Sequence, residues 1–181
     1  MKSKILISGF GGQGIMSLGK IIALTALKKN YAVTWFPSYG AEVRGGTAHC
    51  FVIIASSQIA SPLIDIPDVG ILFNHPSVEK FAKTFGPSSL VILNKDMCVR
   101  PSSAFAVSPV LSPLNSIALE QGSIKTANIV ALGILCARLP RLLDAACAET
   151  VLRAYFPPEK HETNLRSFRR GMEEAHTDAR R

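Results

Sequence analysis

The sequence has no Cys-x-x-Cys pair, no run of five like charges and no apolar stretch approaching a membrane span. A spanning helix needs ~20 apolar residues, so no membrane segment is expected. The four cysteines, Cys50, Cys98, Cys136 and Cys147, are too scattered for an iron–sulfur or zinc motif. Cys50, Cys136 and Cys147 lie in apolar segments, where free buried thiols are the default. The apolar run Ile5-Leu6-Ile7 breaks at Ser8-Gly9, so no secretory leader is expected, and a reducing cytoplasm is the expected compartment. Aromatic residues are only 7% and do not interleave with a Lys/Arg stripe, which argues against nucleic acid. No G-x-S-x-G, H-E-x-x-H, Walker A motif or carboxylate pair occurs. No self-sufficient catalytic machine is therefore visible.

What is present is a pair of glycine motifs at predicted strand ends. Gly9-Phe10-Gly11-Gly12-Gln13-Gly14 follows Ile5-Leu6-Ile7, and Gly40-Ala41-Glu42-Val43-Arg44-Gly45-Gly46 follows Val33–Pro37. Gly9, Gly11 and Gly14 satisfy G-x-G-x-x-G, which permits a tight turn and brings an anion to a helix N-terminus. A dinucleotide site also needs an acid near the end of the second strand. No Asp or Glu lies between Gly14 and Glu42. Three roles stay open for the first motif: strand–helix packing, a phosphate contact or a partner contact. Arg44, flanked by Gly45 and Gly46, can grip a phosphate or carboxylate, or pair with Glu42. Residues 1–64 carry six Lys/Arg against one acid. That excess suits either a solvated surface or an anionic ligand.

With 181 residues, 48% of them apolar, the chain is expected to form one domain, residues 1–181. Predicted strands are 4–8, 32–36, 47–55, a short return strand 59–61, 69–73, 90–94 and 105–110. Predicted helices are 15–29, 77–85, 114–121, 127–139, 142–155 and about 159–175. The hairpin signal at 47–61 breaks the β-α-β alternation. The expected fold is α/β: a three-layer α/β/α, Rossmann-like, mixed but mostly parallel sheet of about six strands, with helices clustered at the C-terminus. His49 and Cys50 are adjacent in a strand and should face opposite sides, so a Cys–His nucleophile is not expected. Asn74 is placed to cap the next helix. Asn128 lies early in an apolar helix, where burial demands partners.

These residues together carry a resemblance. Residues 9–14 (G-F-G-G-Q-G), 34–50 (T-W-F-P-S-Y-G-A-E-V-R-G-G-T-A-H-C), 61–68, 73–77 (F-N-H-P-S), 126–133 and 164–171 resemble the gamma subunit of the 2-oxoacid:ferredoxin (acceptor) oxidoreductases. The 34–50 block is most similar to the 2-oxoglutarate and ketoisovalerate branches. His75 and His49 depart from the Gln and Asn common in that family. The resemblance implies a complex that oxidatively decarboxylates a 2-oxoacid, 2-oxoglutarate as first guess, to acyl-CoA. Electrons would pass to ferredoxin. Thiamine diphosphate, magnesium and iron–sulfur clusters would belong to alpha, beta and delta subunits, and none to this chain. The isolated chain would be inactive and prone to self-association. Gly9, Gly11, Gly12, Gln13, Gly14, Arg44, Gly45 and Gly46 would then contact coenzyme A or a partner subunit. Two rivals remain: a stand-alone dinucleotide-binding dehydrogenase domain, and an assembly protein without ligand contact.

Overall fold

The apolar runs Ile5–Ile7, Val52–Ile54, Val69–Leu72 and Val91–Leu93 are too short for helices and too apolar for surface strands. They build the centre of one sheet, each fully or nearly fully buried. The computed structural model describes residues 1–38, 47–62, 64–98 and 105–178. Its strands are β1 (Lys2–Phe10), β2 (Ala32–Ser38), β3 (Thr47–Ala55), β4 (Val69–Leu72), β5 (Leu90–Asn94) and β6 (Val110–Ser112). Its α-helices are α1 (Ile15–Leu27), α2 (His75–Phe81), α3 (Leu114–Glu120), α4 (Ala127–Arg138), α5 (Ala145–Tyr155) and α6 (His161–Asp178).

The sheet order is β2-β3-β1-β4-β5-β6. β1, β4, β5 and β6 are parallel. β3 runs antiparallel to both β1 and β2. The sheet is therefore mixed and mostly parallel, as expected. Residues 59–61 are not a strand. Both edges of β3 are already paired, and Pro62 follows at once. The strand expected at 105–110 is instead Val110–Ser112, because its first partner on β5 is Ile92. Pro109 lacks the N–H that an earlier start would need. Helix α5 starts at Ala145 rather than 142, since Asp144 caps it by accepting from Cys147 N–H at 2.9 Å.

The two faces of the sheet are unequal. Helices α1, α4, α5 and α6 build the larger core with Ile5, Ile7, Cys50, Val52, Ile54 and Ile71. Helix α2 covers the other face over Leu6, Leu72, Val91 and Leu93. Helices α4 and α6 touch through glycines. A Cβ on Gly133 would strike the Phe168 carbonyl, and one on Gly171 the Val130 carbonyl. No helix among the described residues is long and apolar enough to cross a membrane.

Candidate functional site

The first glycine motif forms the turn between β1 and α1, at the edge where β1 and β4 end. Gly12 and Gly14 have φ of +90° and +73°, a region L side chains rarely adopt. Gly9 is needed for packing, since an added Cβ would lie 2.7 Å from Ile15 Cδ1 and 2.9 Å from Phe73 Cβ. Gly14 abuts Asn128, whose Nδ2 donates to the Gly14 carbonyl at 3.1 Å. Gly11 and Gly12 differ, because nothing lies within 4 Å of a Cβ added at either. The motif thus divides into two packing glycines and two that face open space.

Gln13 turns inward. Its Oε1 accepts from Phe10 N–H at 2.6 Å and from Asn74 Nδ2 at 3.4 Å. Asn74 caps α2 as expected, its Oδ1 accepting from Ser77 N–H at 2.9 Å and Ser77 Oγ–H at 2.7 Å. Ser8 Oγ donates to Ser77 Oγ at 2.9 Å and lies 3.4 Å from the Ala48 carbonyl. This buried chain ties the glycine turn to the start of β3. Ser8 and Ser77 are structural members that sequence reasoning missed; only the N-H-P-S spacing hinted at Ser77. Arg44, Gly45 and Gly46 lie outside the described residues.

The start of α1 contributes positive potential to this edge. Helix α1 has no side-chain cap and no acid in its first turn, so its N-terminal N–H groups and dipole face the turn. The N-terminal lysines lie elsewhere. Lys2 and Lys4 open β1, which is nine residues long, so the turn is about 30 Å from Lys2 and about 23 Å from Lys4. Lys28 and Lys29 follow the far end of α1, where Lys29 Nζ donates to the Arg141 carbonyl at 2.9 Å. These four lysines therefore do not line the glycine edge. The chain direction carries them to the opposite edge.

Neither histidine–cysteine chemistry nor a dinucleotide fits. Cys50 faces α1, fully buried, and burial pushes its thiol up to about 12. His49 faces α2, its ring 5.0 Å from Phe81, and burial with nearby Lys80 lowers its pKa. In a dinucleotide fold the parallel strand beside β1 brings the ribose acid. Here that neighbour is antiparallel β3, with Ala48 beside Gly9 and Thr47 beside Phe10. Among the described residues no three His, Cys, Asp or Glu side chains gather to hold a metal.

The family model for pyruvate ferredoxin/flavodoxin oxidoreductase matches residues 4–174. The chain belongs to this family. It is 30% identical over 97% of its length to 95% of the 2-oxoglutarate synthase subunit KorC of Methanocaldococcus jannaschii. It is 34% identical over 94% of its length to the ketoisovalerate oxidoreductase subunit VorA of Methanothermobacter thermautotrophicus, but spans 36% of that protein. A 2-oxoglutarate:ferredoxin oxidoreductase from Magnetococcus marinus, solved with 2-oxoglutarate, coenzyme A and succinyl-CoA bound, matches with a TM-score of 0.89 and 25% identity. That match covers 97% of this chain and 31% of the other. The gamma subunit of a keto/oxoacid ferredoxin oxidoreductase from Geobacter sulfurreducens shares the fold, with a TM-score of 0.87, 24% identity and 98% of each chain covered.

Proposed function

We propose that this chain is the gamma-type, single-domain subunit of a 2-oxoacid:ferredoxin oxidoreductase, with 2-oxoglutarate as the first candidate substrate. The complex would oxidatively decarboxylate the 2-oxoacid, pass electrons to ferredoxin and release acyl-CoA. The observation that carries this reading is the end-to-end match to a 2-oxoglutarate synthase subunit of the same size. Thiamine diphosphate with magnesium, and iron–sulfur clusters, would supply the decarboxylation and electron-transfer chemistry in alpha, beta and delta subunits. This chain would scaffold them. A coenzyme A contact fits the residues present. Gly11 and Gly12 leave the backbone open to close approach, and the α1 N-terminus favours a phosphate. Arg44, Gly45 and Gly46 complete the proposed contact with coenzyme A or a partner subunit. Alone, the chain exposes Phe36, Ile66 and Leu119 at 55, 57 and 64%, and self-association is expected.

Anaerobic affinity purification of the tagged chain from its host tests this. Co-purifying thiamine-dependent subunits, with coenzyme A-dependent turnover of one 2-oxoacid, is the expected result. A chain that purifies alone and binds a dinucleotide would overturn it.

A further inference from the structure

Strand β4 ends at Leu72, and the last rung beside β1 is the Phe73 N–H donating to the Ser8 carbonyl at 2.9 Å. Backbone groups two residues apart on a strand face the same edge. The Phe10 N–H therefore faces the β4 side, beyond the point where β4 stops. A side chain takes the place of the missing strand. Gln13 Oε1 accepts from the Phe10 N–H at 2.6 Å, while the Gln13 N–H donates to the Phe10 carbonyl at 3.2 Å. The two bonds close residues 10–13 into a turn. Gly12 is its third residue, and its φ of +90° is what a type II turn requires there.

Gln13 is held inward from behind. Asn74, only 1% exposed, donates from Nδ2 to the same Oε1 at 3.4 Å. Its own Oδ1 is taken by Ser77, which accepts in turn from Ser8. Capping α2 needs only an oxygen at position 74, which Ser or Asp would also supply. The amide nitrogen of Asn74 is the part that capping leaves unexplained, and its bond to Gln13 accounts for it. With Gln13 turned inward, Gly11 and Gly12 form the outer surface of the turn, where an added Cβ would meet nothing within 4 Å. Swung outward, Gln13 would leave the Phe10 N–H without its acceptor, a costly loss at a part-buried site. We propose that Gln13 and Asn74 are positioning residues for coenzyme A. Their paired amides fix the turn that offers Gly11 and Gly12, and neither side chain touches the coenzyme. This role rests on the coenzyme A contact proposed above, and it gives Gln13 a task other than the direct contact expected from its motif.

Steady-state kinetics of the co-purified complex test it. Gln13→Met keeps the length of the side chain but removes the acceptor. Asn74→Ser can still cap α2 but is too short to reach Gln13. Gln13→Met should raise KM for coenzyme A about tenfold or more, and Asn74→Ser about threefold or more, with kcat and the KM for the 2-oxoacid within about twofold of wild type. Because both act through one turn, the double variant should match Gln13→Met within about twofold rather than multiply the two effects. Amide exchange on the free chain reads the clamp itself, and the Phe10 amide should exchange about tenfold faster or more in Gln13→Met. A wild-type KM for coenzyme A in Gln13→Met, an equal change in the 2-oxoacid KM, multiplied effects in the double variant, or unchanged exchange would overturn the positioning role and leave the oxidoreductase reading intact. A wild-type complex without coenzyme A-dependent turnover would overturn that reading, and this role with it.

Discussion

Gly133 and Gly171 on the α4–α6 contact differ from Gly11 and Gly12 on the β1–α1 turn in what surrounds them. At the first pair a methyl group would strike a neighbouring backbone carbonyl; at the second it would meet nothing within 4 Å. Packing accounts for a glycine of the first kind completely. It accounts for the second only in part, through the φ of +90° at Gly12, and not at all at Gly11. A glycine that the fold does not need, beside an uncapped helix end, leaves room for the contact proposed above. The contrast separates residues that hold the protein together from residues available to a ligand or partner.

The largest effects should fall on the packed pair. Gly133→Ala or Gly171→Ala forces two helices apart and should cost about 3 kcal/mol or more in urea unfolding. The same packed side holds Cys50 and Cys136, whose thiols burial pushes from 9.0 up to about 12. Their native pKa values are raised, so their contribution is whole below pH 9 and is lost as pH rises toward 12. Stability measured along an alkaline series should therefore decline across that window, and a Cys50→Ala/Cys136→Ala variant should flatten the decline. Gly14→Ala combines a positive φ with collision against Asn128. About 2 kcal/mol is expected. At the open pair, Gly12→Ala should cost about 1 kcal/mol for its φ alone. Gly11→Ala should stay within about 0.5 kcal/mol of wild type. A large loss at Gly11, or none at Gly133, would erase the distinction between the pairs.

Much of the fold was legible because its signals are local. The β1 and β3 runs, the G-x-G-x-x-G turn, the α2 cap at Asn74 and the opposed faces of His49 and Cys50 all follow from spacing within a few residues. Strand partners do not. Nothing near residues 47–55 says that β3 inserts between β1 and β2, so the local hairpin signal points downstream to 59–61 instead. Ends set by caps or sheet register, such as Asp144 and the Ile92–Val110 pairing, also depend on distant contacts. At the site, the glycines were visible but their division into packed and open was not. That difference rests on Phe73 and Asn128, which are far away in sequence.

The most direct test of the open-edge account is Gly11→Trp in the oxidoreductase complex proposed above. Gly11 has no positive φ, and a Cβ added there meets nothing within 4 Å, so the isolated chain should melt with wild-type stability. The account predicts that this bulky residue either blocks assembly or lowers kcat/KM for coenzyme A by about tenfold or more, equivalent to about 1.4 kcal/mol. Wild-type assembly together with wild-type acyl-CoA formation would contradict it.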